Sequence, residues 1–235
     1  MVGEGWDAIW ESRPTDLSGG SVLRALLVAD GRDTPFGGVD EQAWAAFVRR
    51  VAARLGIGPG DSVCDVGCGA GAFLYELHQV GCAVSGVDRS ASLIDCAGRA
   101  MPDGEFVVAD ADTLPPEPRV DAVVSCEAFL YFPSAEYAGR VVDAMAAKAR
   151  RAVAVLGVPD AATKDEALAR RRELAGGDDA YAARYRGLEH LYLGRDWLAG
   201  RMAAAGLVDV AVEDQGIEGY DNAAFRFNCF GFTPR

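Results

Sequence analysis

Positive charge is scarce in this chain. Across 235 residues, 23 lysines and arginines face 35 aspartates and glutamates, for a net charge of −12. Sequence-independent binding to nucleic acid depends on basic patches that neutralise phosphates, so no nucleic-acid partner is expected. No membrane partner is expected either, because an anionic lipid surface repels the same excess. A small neutral or cationic substrate suits the sign better. Histidine is scarcer still, with His78 and His190 the only two. Cys64, Cys68, Cys82, Cys96, Cys126 and Cys229 include no CxxC pair. A structural zinc site is therefore not expected, and no metal ligand is assigned. Several of these thiols stand in apolar, strand-like runs, as reduced core residues of a cytoplasmic protein do. No apolar run approaches the ~18 residues of a membrane-spanning helix. The start, MVGEGWDAIW, lacks a basic region followed by an apolar core, so no secretory signal is expected.

What is present reads as a globular α/β chain. Half of the residues are apolar and a quarter are charged, which is globular composition. The length fits one domain, 1–235, that buries about three quarters of its unfolded surface without disulfide or metal. Between Asp40 and Leu55, the residues Trp44, Phe47, Val48, Val51 and Leu55 form one helical stripe. Asp40 is placed as its N-cap and Gly56 as its stop. Apolar runs at Ser62–Val66, Ala83–Val87, Phe106–Ala109, Val120–Ser125 and Ala152–Val158 predict strands. Helices are predicted between them at Ala72–Val80, Ser92–Met101 and Ala135–Arg150. Such alternation implies parallel strands with helices on both faces, and continuous apolar runs imply strands buried on both sides. After Pro159 the rhythm breaks. Residues 160–193 are polar, helical in places (DEALARRRELAG), and longer than a connection requires, which predicts a lid or substrate wall. A helix at Asp196–Ala205 and strands at Leu207–Glu213 and Phe225–Phe232 complete the pattern.

The strongest chemical signal is DVGCGAG, Asp65–Gly71, directly after a strand and opening a helix. Gly67 and Gly69 permit tight turns and close approach of a ligand, and the helix start offers free N–H groups. The spacing is GxGxG after an acid, not the GxGxxG of dinucleotide sites. By itself such a loop is also an ordinary structural turn. Asp88 ends the second strand in VSGVDRS, where an acid takes a ribose diol. Asp110 ends the third strand in FVVADADTLP, where an acid accepts from an adenine amino group and Ala111 offers its N–H. Each alone is also an ordinary solvated loop residue. Together, three acids stand at the carboxyl ends of successive strands, the edge where open parallel sheets bind ligands.

The segments VCDVGCGAG, VSGVDRS, VVADADTLP and VDAVVSCEAFLYF, in order and over about residues 40–158, resemble class I S-adenosylmethionine-dependent methyltransferases of the small-molecule, natural-product type. The resemblance implies a Rossmann-like seven-stranded sheet, order 3-2-1-4-5-7-6 with strand 7 antiparallel. Helices would cover both faces, with N-terminal cap helices in 1–39 and an inserted lid at 160–193. It implies S-adenosylmethionine as cofactor and S-adenosylhomocysteine as product. By the same resemblance, Gly67, Cys68 and Gly69 pack against the methionine and ribose, and Asp65 holds the loop or reaches the methionyl amine. Asp88 binds the ribose, with Arg89 over the adenine edge. Asp110 and Ala111 read the adenine, and Ser125 and Cys126 lie along the methionyl moiety. In the segment GWDAIWESRP, Trp10 covers the cofactor and Arg13 meets its carboxylate; ordinary packing and a surface charge are the alternative.

For the acceptor, the sequence offers Glu127 and Tyr131 in SCEAFLYF and His190 in GLEHLYLGRDW as candidate catalytic groups. His190 is attractive because imidazole titrates near neutrality; its alternative is a packed lid residue. For Glu127 the alternative is a structural hydrogen bond. In YDNAAFRFN, Arg226 and Asn228 share one strand face and Phe225 and Phe227 the other. The expected reaction is methyl transfer to an N, O or C nucleophile of a small molecule in secondary metabolism, by a monomer or homodimer. A SAM-binding cyclase or pericyclase and a non-catalytic binding partner are the other readings. The acid excess weakly favours an amine acceptor.

Overall fold

The computed structural model describes residues 5–34 and 36–234. The parts of the expected N-terminal cap and of the starting sequence that fall on 1–4 and 35 lie outside them, as does the last position of the expected 1–235 domain. Seven strands form one sheet in the order β3-β2-β1-β4-β5-β7-β6. They are β1 (Ser62–Val66), β2 (Ala83–Asp88), β3 (Glu105–Val108), β4 (Val120–Cys126), β5 (Ala149–Pro159), β6 (Val208–Asp214) and β7 (Arg226–Phe232). The first five run parallel, and β7 runs antiparallel to both β5 and β6. This is the sheet that the sequence motifs imply.

Helices cover both faces. On one lie α2 (Val22–Ala29), α3 (Glu41–Leu55), α4 (Ala72–Gln79) and α5 (Ala91–Ala100); on the other lie α6 (Ala135–Lys148) and α9 (Arg195–Ala204). The predicted stripe of α3 is buried, and Asp40 caps it by accepting from the N–H groups of Gln42 and Ala43. Trp44 also donates its indole N–H to the carbonyl of Ala72 at 3.1 Å, which ties α3 to the start of α4. Each fully buried side chain of the Val, Leu or Phe kind contributes about 1.5–3 kcal/mol. In β1, β4 and β5 these chains face helices on both sides, so the sheet centre is the rigid platform of the molecule.

Two expectations need correction. β3 is not buried on both faces: Val107 and Val108 are more than half exposed, because β3 is an edge strand. β5 begins at Ala149, three residues earlier than its apolar run, because Ala149 already pairs with Val120. Residues 160–193 form a closed excursion from the end of β5. They contain α7 (Lys164–Ala175) and α8 (Asp178–Tyr185). The excursion returns where Leu193 donates to Pro159 and accepts from Ala161, each at 3.0 Å. The N-terminal helix α1 (Trp6–Glu11) lies against α5. Among the described residues, no helix is long and apolar enough to cross a membrane.

Candidate active site

The carboxyl ends of β1, β2, β3 and β4 open into one cavity of about 980 Å³. That is the upper end of the range for small-molecule sites. The loop after β1 forms its floor. Gly67, Gly69 and Gly71 all have positive φ, at 76°, 55° and 86°. A Cβ on Gly67 would stand 2.4 Å from Ala128 Cβ, and one on Gly69 would stand 2.3 Å from an oxygen of Asp30. Both positions thus require glycine for conformation and for space.

Asp88, at the end of β2, braces this loop. Its carboxylate accepts from the N–H groups of Gly69 and Ser90, each at 2.9 Å. Burial raises its pKa despite those bonds. Asp65 is buried behind the loop and accepts weakly from the Cys126 N–H at 3.4 Å. Burial pushes its carboxyl well above the usual range. Asp110 pairs with Arg89 at 2.9 Å, and Arg89 also reaches Asp7 of α1 at 3.2 Å. Arg89 therefore bridges the ends of β2 and β3 to the cap. Ala111, Cys68 and Cys126 line the same cavity, as does Trp10 from α1.

Two residues the sequence reading missed belong here. Asp30, just after α2, places its oxygens on the N–H groups of Ala70 and Ala72 at 2.6 and 3.1 Å. The start of α4, expected to be free for a ligand anion, is therefore capped from within. Burial lifts Asp30 to about 6, against those hydrogen bonds and the nearby Arg32. Arg32 enters the cavity with its guanidinium 4.0 Å above the Trp44 ring. Its Nε is buried without a partner among the described residues. Nothing in the string VADGRD announces either role: the partners of Asp30 lie 40 and 42 residues away, and Arg32 meets Trp44 and, 95 residues away, Glu127.

Three predicted site residues stand elsewhere. Ser125 is fully buried and donates to the Val66 carbonyl at 2.7 Å, so it joins β4 to β1 and does not line the cavity. Arg13 pairs with Asp33 at 2.6 Å and donates to the carbonyls of Val28 and Ala29 at the end of α2. It anchors the cap and cannot meet a ligand carboxylate in the cavity. His190 lies behind the cavity wall, stacked on Trp6 with centroids 4.8 Å apart and 5.5 Å from the Tyr131 ring.

Glu127 and Tyr131 do line the cavity. Glu127 has φ 56°, a strained backbone conformation for a non-glycine residue. One oxygen accepts from Arg226 at 2.7 Å, Arg32 at 2.9 Å and the Tyr220 hydroxyl at 2.9 Å; the other accepts from Gln215 at 2.5 Å. Gly157, at an irregularity in β5, leaves the room: a Cβ there would meet Glu127 Cγ at 2.3 Å. Burial alone would raise this carboxyl, but Arg226 and Arg32 outweigh it and hold it at about 2. Both of its oxygens are thus occupied by donors, and the carboxyl is ionised near neutrality. Burial pushes the Tyr131 phenol up to about 12. His190 is held well below its ordinary value by burial and by Arg171 and Arg226.

The sheet order is that of the class I S-adenosylmethionine-dependent methyltransferase fold that the sequence motifs resemble. Residues 63–159, about two fifths of the chain, match the family model described as a methyltransferase domain. A trans-aconitate 2-methyltransferase of Escherichia coli is 34% identical over 83 residues, 34% of this chain and 33% of that protein. The chain thus spans about a third of the length of the curated relatives it matches. Among solved structures, magnesium protoporphyrin IX methyltransferase from Synechocystis with bound SAM has a TM-score of 0.60 at 17% identity, covering 93% of this chain and 88% of that one. The N-methyltransferase NodS from Bradyrhizobium japonicum, in complex with S-adenosyl-l-homocysteine, has a TM-score of 0.62 at 14% identity, covering 91% and 97%. At these identities the likeness is one of fold.

Proposed function

We propose that this chain transfers a methyl group from S-adenosylmethionine to a nucleophilic atom of a small molecule, of the natural-product kind that the motifs imply. The observation that carries this reading is the set of buried, under-compensated acids around a glycine loop that tolerates no side chain. Burial raises the pKa values of Asp30, Asp65 and Asp88, as it does for acids with too little compensating positive charge. S-adenosylmethionine supplies such charge, with its ammonium and sulfonium, and supplies the electrophilic methyl. Asp65 faces the methionyl amine, Asp88 takes the ribose diol, and Asp110 and Ala111 read the adenine edge with Arg89 beside them. Gly67, Cys68, Gly69 and Cys126 shape the passage. Arg32, with its unpartnered Nε, takes the methionyl carboxylate in place of Arg13. Trp10 and Tyr131 exclude water from the reacting end.

A purely binding role fits less well, since a cavity of about 980 Å³ leaves room beyond a single cofactor. Six unpaired cysteines, five of them buried, support a cytoplasmic setting. Calorimetry with S-adenosylmethionine tests the reading. Wild type binds it, and Asp88→Ala binds about 10–100-fold more weakly, the loss expected for charge-assisted hydrogen bonds. Wild-type affinity in that variant would remove the cofactor assignment. Release of S-adenosylhomocysteine during turnover separates methyl transfer from cyclase or pericyclic chemistry.

A further inference from the structure

Six consecutive N–H groups run through the glycine loop into α4, from Gly67 to Ala72. Backbone amides that open a helix in this way are the usual seat of a phosphate. Here every one of the six has a partner inside the protein. The N–H groups of Gly67 and Cys68 donate to the Val87 carbonyl at 2.8 and 3.0 Å, and that of Gly71 donates to the Cys68 carbonyl at 2.9 Å. Gly69 donates to Asp88 at 2.9 Å. Ala70 and Ala72 donate to the two oxygens of Asp30 at 2.6 and 3.1 Å.

Neutral carbonyls suffice for three of these amides, and a structural turn needs no more. Asp30 instead brings a carboxylate to the helix start from 40 residues away. It packs against the loop without a gap: a Cβ on Gly69 would stand 2.3 Å from Asp30 Oδ1. Asp30 and Gly69 line the cavity, whereas Ala70 and Ala72 do not. The cavity therefore meets a carboxylate where it would otherwise meet amides. Asp65 and Asp88 line the same end. Arg32, the cation beside Asp30, already pairs with Glu127 at 2.9 Å.

We infer that Asp30 is a specificity-determining residue: its carboxylate fills the seat of a phosphate, so the site rejects phosphorylated nucleotides and takes an adenosine whose 5′ substituent carries no phosphate. The inference rests on the methyl-transfer reading above and deepens it by naming what the glycine loop excludes. In that reading Asp88 holds the ribose, and Asp88 is bonded to Gly69, so the 5′ substituent of the nucleoside faces the loop. A phosphate there finds no free N–H among residues 67–72 and stands against like charge, losing both hydrogen bonds and Coulomb energy. The ammonium and sulfonium of S-adenosylmethionine meet the same charge with the opposite sign. Dinucleotides, whose sites share the plan of strand, glycine loop and helix, are turned away by the same side chain.

The test uses the full chain and competition against bound S-adenosylhomocysteine, at about pH 8, where Asp30 is ionised. The competitors are adenosine and adenosine 5′-monophosphate, which differ only in the phosphate. In wild type the monophosphate binds about 10-fold or more weakly than adenosine. Asp30→Asn keeps the shape and loses the charge, and this ratio falls by about 3-fold or more. Asp30→Ala empties the seat, and the monophosphate binds as well as adenosine or better. Each ratio is taken within one protein, so a general loosening of the fold, which weakens both ligands alike, does not move it. Where Asp30→Ala does not fold, the wild-type and Asp30→Asn ratios decide. Equal binding of the two competitors by wild type, or a ratio unchanged in the variants, overturns the inference and leaves the methyl-transfer reading standing. Failure of wild type to bind S-adenosylhomocysteine at the first step rejects that reading and the inference with it.

Discussion

The two ends of the cavity handle buried charge in opposite ways. Around the glycine loop, Asp30, Asp65 and Asp88 are held by backbone N–H groups, and burial keeps their pKa values raised. Beyond β4, Glu127 is clasped by two arginines, a tyrosine and a glutamine, and sits at about 2. At the first end burial outweighs the nearby positive charge, Arg32 beside Asp30 included. The second is complete within the protein and carries surplus arginine. Net charge does not tell the two ends apart, because a field inside a cavity is set by the few charges that face it.

Breaking the clasp should have the largest effect. Glu127→Gln leaves Arg32 and Arg226 buried without their counter-charge, and removing one partner of a buried ion pair costs about 3–5 kcal/mol. Chemical denaturation measures it; a loss below about 1 kcal/mol would mean that the arginines find other partners or water, and the contrast between the two ends would dissolve. The sign with pH runs the same way. Glu127 is depressed in the fold, so its contribution is present above about 4.5 and is lost as pH falls toward 2.

A smaller effect separates the two arginines of the N-terminal region. Arg32→Gln should weaken cofactor binding about 10-fold, whereas Arg13→Gln, confined to the α2 terminus and Asp33, should leave it within about 2–3-fold. Equal losses in calorimetry would return Arg13 to the site.

The smallest effect concerns protons. Asp30 is raised to about 6 in the fold from an ordinary 3.8. The stability linked to its protonated form is therefore present below 3.8 and is lost as pH rises through about 6. A cation at the glycine loop favours the ionised acid, so cofactor affinity should rise between about pH 5 and 7, with protons released on binding. Calorimetry in buffers of different ionisation heat reads that release. Proton uptake, or affinity flat over this range, would show that Asp30 does not sense the ligand.

Much of the architecture was legible in the sequence. Continuous apolar runs alternating with helical stripes leave a parallel sheet as the arrangement that buries both, and β1, β2 and β4 fall within one residue of their runs. Asp88 and Asp110 were legible because strand ends are marked by where the apolar run stops, and such ends meet at one edge of the sheet. Ser125 was misread because alternation sends neighbouring strand residues to opposite faces: Cys126 meets the cavity and Ser125 meets the carbonyl of Val66. Arg13 and Arg32 carry no local signal that tells them apart, since only the docking of α1 and α2 decides which one enters the cavity.

The sequence by itself determined the order of strands and helices, the glycine loop, and the acids at the ends of β2 and β3. These follow from short-range rules: apolar period, the backbone freedom of glycine, and turn position. Tertiary structure alone decided what the buried charges do. Whether a carboxylate is a base, a brace or one half of an ion pair depends on which donors reach it. For Asp30 and Glu127 those donors lie 40 to 99 residues away in the chain, brought within 3.1 Å by folding.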